Sequence, residues 1–140
     1  MKSNNNEKKS DVENKFDALY HYEEGQQYML GINAEKNTKK ALQHYKKAAK
    51  LGCAAAQFEL GYAYSYGEGV KENKATGAKW WRKAAEQGHA ASQYAIGSCY
   101  ELGEGVKQDT SKALEWYLKA AMQGDAGASE SLENLTFGEE

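Results

Sequence analysis

The sequence predicts an all-α fold, an α/α solenoid of antiparallel helix pairs, and three observations carry that prediction. The first is internal repetition: residues 54–89 and 90–125 overlay without a gap, with 16 of 36 positions identical. Most of the rest exchange like for like, such as Phe58 with Tyr94, Leu60 with Ile96 and Trp81 with Tyr117. Self-similarity at a period of this length marks stacked repeats, each unable to bury its apolar face alone. The second is composition. Ala and Tyr dominate the 41% of hydrophobic residues and Pro is absent, which suits close-packed helices better than sheets. The third is a degraded further copy from Ala18 to Cys53, in which Gly25, Tyr28, Gly31 and Lys47-Ala48-Ala49 fall in register with Gly61, Tyr64, Gly67 and Lys83-Ala84-Ala85.

Taken in order, residues 1–9 are Asn, Lys and Glu with few others, too polar to offset the entropy of ordering, and read as a disordered tail. Residues 10–140 read as one solenoid domain, with repeats over 18–53, 54–89 and 90–125 and a C-terminal cap over 126–136. Ser10 and Glu13 have capping-box spacing and open the first helix; Phe16, Leu19 and Tyr20 then begin an apolar stripe. Asn37, Asn73 and Asp109 share one position before an Ala-rich stretch and read as N-caps of the second helices. Gly52, Gly88 and Gly124 stand where those helices end in a left-handed residue.

Between the helices runs Gly-Glu-Gly-Val at 67–70 and 103–106, with Asn33 in the first copy replacing Gly69, as a left-handed backbone allows. Gly25, Gly61 and Gly97 lie mid-helix, at about 1 kcal/mol relative to Ala. That recurrent cost predicts a close helix approach, with Ala84-Ala85 and Ala120-Ala121 as partners. Leu60 with Tyr64, and Ile96 with Tyr100, are expected to pack on Trp81 and Tyr117. The first copy departs at Glu24 and His44, where later copies have Leu60 and Trp80, as a terminal repeat with one uncovered face requires. Ala126, Leu132 and Leu135 continue the first-helix pattern as a closing half copy.

The residues Gln93-Tyr94, Ile96-Gly97, Tyr100, Gly103-Glu104-Gly105-Val106, Asp109, Lys112-Ala113, Trp116-Tyr117, Lys119-Ala120-Ala121 and Gly124 together resemble the Sel-one-like repeat (SLR) family, relatives of the tetratricopeptide repeat. The resemblance covers residues 18–136. It implies an adaptor that presents a curved helical surface to another protein, with no cofactor. Thr76-Gly77 departs from the family's Lys-Ala and is expected to weaken its turn. Some secreted bacterial members carry a disulfide in each repeat; Cys53 and Cys99 lack such regular spacing.

Composition narrows the function further. A formal net charge of −2 and a pI near 6.0 argue against nucleic acid, which needs a basic footprint. No stretch approaches the roughly 20 apolar residues of a membrane span, and the N-terminus lacks the apolar run of a secretory signal. With two cysteines that nothing pairs, a cytoplasmic, bacterial protein is expected, a monomer or weak dimer on its own.

Chemistry finds little purchase. Asp17, His21 and Glu24 share one face of the first helix and give the alternative reading, a metal-dependent hydrolase, but Zn²⁺ wants three or four well-placed ligands. A solvated polar edge explains them more simply. His44 reads as a half-buried ring and His89 as an exposed turn residue. The Gly-x-Gly segments lack the strand and full fingerprint of a phosphate loop.

A partner site is expected where the repeat pattern is silent on the first helices, which line the concave face of stacked helix pairs. Those positions are Glu23, Gln26, Gln27 and Leu30 in the first copy and Glu59, Tyr62, Ala63 and Tyr66 in the second. The third adds Ala95, Ser98, Cys99 and Leu102. Tyr62 and Tyr66 lead, because aromatic side chains dominate interface energetics. The reading is a protein–protein interaction module, an immunity protein that blocks a target or a regulatory adaptor, not an enzyme.

Overall fold

The computed structural model describes residues 9–138, so the tail expected over 1–9 lies almost wholly outside the described residues. Seven helices follow one another: α1 (Asp11–Leu30), α2 (Thr38–Lys50), α3 (Ala54–Tyr66), α4 (Lys74–Glu86), α5 (Ala90–Leu102), α6 (Thr110–Met122) and α7 (Ala126–Phe137). Each packs mainly on the next, and no strand occurs among the described residues, so the all-α solenoid is what forms.

The caps act as their chemistry dictates. Ser10 and Glu13 form the reciprocal capping box of α1. The side-chain oxygens of Asn37, Asn73 and Asp109 accept the backbone N–H of Lys40, Thr76 and Lys112 at 3.0–3.1 Å. Gly31, Gly67 and Gly103 close α1, α3 and α5 in left-handed conformation, and Asn33 repeats the positive φ of Gly69 and Gly105.

The mid-helix glycines make room for rings and not for the Ala pairs. An added Cβ would lie 2.6 Å from Tyr45 at Gly25 and 2.7 Å from Tyr117 at Gly97, and would enter the Trp81 indole at Gly61. One bulky ring of each even helix thus packs closely on the backbone of the odd helix before it. Thr76-Gly77 does not interrupt α4, because buried Gly77 lets that helix approach the Gly61 carbonyl and Ser65 of α3.

The core forms between repeats as much as within them. Leu60 and Tyr64 belong with Leu42 and Tyr45 of α2, a different partner from the expected Trp81. Ile96 and Tyr100 do join Trp81 and Tyr117, in a second cluster that runs from α4 to Ala128 of α7.

A polar ladder ties the repeats together. Buried Gln57 donates to the Ala49 carbonyl at the end of α2 and accepts from Gln87 at 2.9 Å. One period on, buried Gln93 donates to the Ala85 carbonyl and accepts from Gln123, which also donates to the Gly88 carbonyl. The first copy has His21 and Leu51 at the corresponding places.

Phe16, Leu19 and Tyr20, which begin the apolar stripe of α1, are exposed. Tyr20 occupies the position of Ala56, which packs on the preceding helix, and α1 has no preceding helix among the described residues. No described helix is long and apolar enough to cross a membrane.

Candidate protein-binding groove

Stacking one helix pair on the next leaves a furrow between successive odd helices. Between α3 and α5 it is a cavity of about 410 Å³ whose lining is mostly apolar and aromatic. Tyr62, Tyr66, Ala95, Ser98, Cys99 and Leu102, six of the residues expected on a partner surface, line it. Tyr62 and Tyr66 sit one turn apart on α3 with ring centroids 4.7 Å apart, 44% and 59% exposed, and Leu102 faces them from α5 at 63%.

The remaining expected residues divide. Glu23, Gln26, Gln27 and Leu30 lie on α1, away from this cavity; Leu30 and Glu23 are exposed, and Gln26 donates to the Tyr22 hydroxyl. Glu59 is half-buried beside them on α3, and burial, with Glu68, raises its carboxyl above the usual range. Ala63 is 3% exposed and belongs to the α2–α3 core, so it offers a partner nothing. Cys99, at 5%, is a core residue as well as part of the groove floor, and burial pushes its thiol up to about 11, where it is unreactive.

Ser98 has a structural reason to differ from Tyr62. The Tyr117 hydroxyl lies 3.1 Å from Ser98 Oγ and 2.8 Å from Glu101 Oε1; with one proton it donates to the carboxylate and accepts from the serine. In the previous copy Trp81 takes that ring's place and donates its indole N–H to the Phe58 carbonyl at 3.1 Å. No hydroxyl needs a partner there, so position 62 can hold a tyrosine aimed at solvent.

Sequence reasoning missed Phe58, Tyr94, Glu104 and Asp125 as groove residues. Phe58 and Tyr94 match each other between copies and so do not stand out as positions the repeat leaves free; both are half-buried. A second cleft, of about 540 Å³, lies at Arg82, Tyr100, Lys107 and Lys112, but charged and polar side chains line most of it.

The three residues of the hydrolase reading do not converge. Asp17 is held by Lys9 at 2.6 Å, while His21 turns to His44, with Nδ1 atoms 3.1 Å apart and rings stacked. No group of three His, Cys, Asp or Glu placed to hold a metal occurs among the described residues. His89 is not a bystander in an exposed turn: half-buried, it is the N-cap of α5, its Nδ1 accepting the Ser92 N–H at 3.3 Å.

His21 and His89 give the chain an acid-sensitive stability. Burial lowers the affinity of His21 for a proton, and His44 and Lys47 lower it further against the opposing pull of Asp17 and Glu24. Burial alone does the same for His89, whose capping nitrogen must also be unprotonated to accept. In both, the unfolded state takes up protons more readily, so the contribution is complete above the unperturbed value of about 6.5 and is lost as pH falls below it. Thermal melts followed by circular dichroism are expected to show a lower Tm at pH 5 than at pH 7. His89→Asp should shrink the difference, since Asp125 caps α7 in the same way from the equivalent position. A Tm independent of pH over that range contradicts the account.

The Sel1 repeat model matches residues 16–53, 54–89 and 90–125. Among solved structures, the chain is similar to a protective antigen with an SLR fold present in uropathogenic Escherichia coli strains. That match has 41% identity and a TM-score of 0.82, over 84% of this chain and 25% of the other. The chain thus spans about a quarter of that protein's length. A Sel1 repeat protein of Oxalobacter formigenes is 34% identical with a TM-score of 0.79, over 88% and 96% of the two chains. Cysteine-rich protein B of Helicobacter pylori, 22% identical with a TM-score of 0.71 over 89% and 98%, shares the fold. A search of curated proteins found no match. Sel1 repeat proteins are in general protein-binding scaffolds. With three matched repeats in phase over most of its length, the chain belongs to the Sel1 repeat family.

Proposed function

We propose that this chain is a protein-interaction module with no catalysis of its own, which docks a partner protein in the α3–α5 groove. The observation that carries the reading is the Tyr62–Tyr66 pair. Both rings stand substantially exposed at the rim of an apolar furrow, whereas Trp81 and Tyr117, the aromatics the fold needs, are buried. Exposed aromatics of this kind supply large contact area at small conformational cost. Binding would let the chain act as an adaptor or cover a target's working surface, as an immunity or regulatory protein does. Its free thiols, Cys53 half-buried and Cys99 buried, fit the reducing interior of a cell.

The test is affinity capture from the native host with the wild-type chain and with Tyr62→Ala/Tyr66→Ala. The wild type is expected to retain a partner that the double variant binds about tenfold to a hundredfold more weakly, at unchanged helix content. Equal capture by both removes the groove from the reading.

A further inference from the structure

The near-neutral net charge conceals a segregation of charge between the two helix layers. The odd helices carry nine carboxylates and one lysine, Lys15. The even helices carry eleven Lys or Arg, five on α2, four on α4 and two on α6, against Glu86 and Glu115 alone. The walls of the groove are the extreme case: α3 has Glu59 and α5 has Glu101 as their only charged residues. The charged residues lining the cavity are Glu104 and Asp125, both acidic.

Their placement is as informative as their sign. Glu104 follows the C-terminus of α5 beside Leu102, and Asp125 lies with Ala91 at the other end of that helix. Ala91 and Leu102 are separated by about 17 Å at 1.5 Å per residue, so the apolar floor is bracketed by a carboxylate at each end. Neither is fully engaged. Asp125 uses Oδ1 to cap α7, and Glu104 meets only Lys74, at 3.9 Å with both side chains about half exposed, a pair of little strength. Lys74 also lies over the Tyr66 ring at 6.0 Å, at the groove's end.

Resting on the docking reading above, we propose that the occupant is a cationic amphipathic segment of the partner protein. It places leucine- or phenylalanine-like side chains among Tyr62, Tyr66, Tyr94 and Leu102, and lysine or arginine at its two ends against Glu104 and Asp125. Complementary charge at the rim steers encounter and rejects acidic segments, while the aromatic rings that the segment covers supply most of the hold. The negative field of the odd layer extends that preference beyond the two contacts.

The test uses the full chain and two labelled peptides of about twelve residues, long enough as a helix to span about 17 Å. One has Leu and Phe at helical spacing with Lys at both ends; its counterpart has each Lys replaced by Glu. Fluorescence anisotropy is expected to show the Lys peptide binding about tenfold tighter or more at low salt, with the margin shrinking at about 0.3 M salt. Glu104→Lys with Asp125→Asn, the latter still able to cap α7, should erase most of the margin. Tyr62→Ala/Tyr66→Ala should weaken both peptides.

Equal binding of the two peptides, lost in the tyrosine variant, leaves the groove as a docking surface and overturns the cationic specificity. Preference for the Glu peptide does the same. Lys-peptide binding that ignores both variants means a site elsewhere and overturns the proposal, as does a failure of the Lys peptide to bind. Sedimentation showing the chain dimerised through Tyr62 and Tyr66 would make a second copy the occupant and overturn it as well.

Discussion

Gly97→Ala is expected to destabilise the chain by about 3 kcal/mol, at the upper end of what overpacking a core costs, with Gly61→Ala at least as severe. In an open helix the same change would help by about 1 kcal/mol, so the sign itself reports the packing. At Gly97 the new methyl would sit 2.7 Å from two carbons of the Tyr117 ring. That ring cannot step aside cheaply, being 1% exposed and anchored through its hydroxyl to Glu101 and Ser98. At Gly61 the obstruction is the Trp81 indole, fixed by its bond to the Phe58 carbonyl. Gly88→Ala is the control. Its φ of +93° makes alanine strained, but no atom lies within 4 Å of the added carbon. Urea unfolding followed by circular dichroism should rank Gly97→Ala as clearly worse than Gly88→Ala, and the reverse order would refute the ring-on-backbone account. Against a total of about 5–15 kcal/mol for a folded domain, the loss is large enough to lower yield as well as Tm.

Gln93→Ala is expected to cost about 2–3 kcal/mol, combining two lost hydrogen bonds with a small buried void. The distribution of the damage is the sharper prediction. Gln93 joins the end of α4 to α5 and, through Gln123, to the end of α6. In a stack whose stability is a sum of repeat and nearest-neighbour terms, weakening this joint loosens the C-terminal side first. Amide exchange should therefore accelerate in α5, α6 and α7 more than in α2 and α3, which keep the Gln57–Gln87 rung. Uniform acceleration across the chain would mean that it unfolds as a single unit and that the ladder has no local role.

How much could be read in advance depended on the range of the interaction. Caps and left-handed turns involve residues three or four apart, so Asn73, Asp109 and Asn33 were legible from type and position. Ring placement was not. Trp80 and Trp81 are neighbours in sequence, and only the angle between helices decides which indole turns onto Gly61. The glutamine ladder was hidden for another reason: Gln normally means surface, and its burial here depends on partners a full period away. In the groove, Tyr62, Tyr66 and Leu102 were found as positions the repeat did not require. Ala63 and Cys99 were assigned to the same face although they lie on its buried flank. Phe58 and Tyr94 were overlooked because only positions that differ between copies stand out as candidates for a partner surface.

The joints between repeats also bear on how such chains grow. Gly69 rests against Thr38 and Leu42, and Gly105 against the backbone of Lys74 and Ala75, so each loop seats on the start of the second helix one unit earlier. Since Gln57 and Gln93 engage their neighbours identically, the fittings at the two joints are interchangeable. Units built to a common fitting can be inserted or removed whole without redesigning the parts on either side. Added length then supplies further furrows at a fixed pitch, and a gene encoding this fold can widen its repertoire by duplication first and by altering rim residues afterwards.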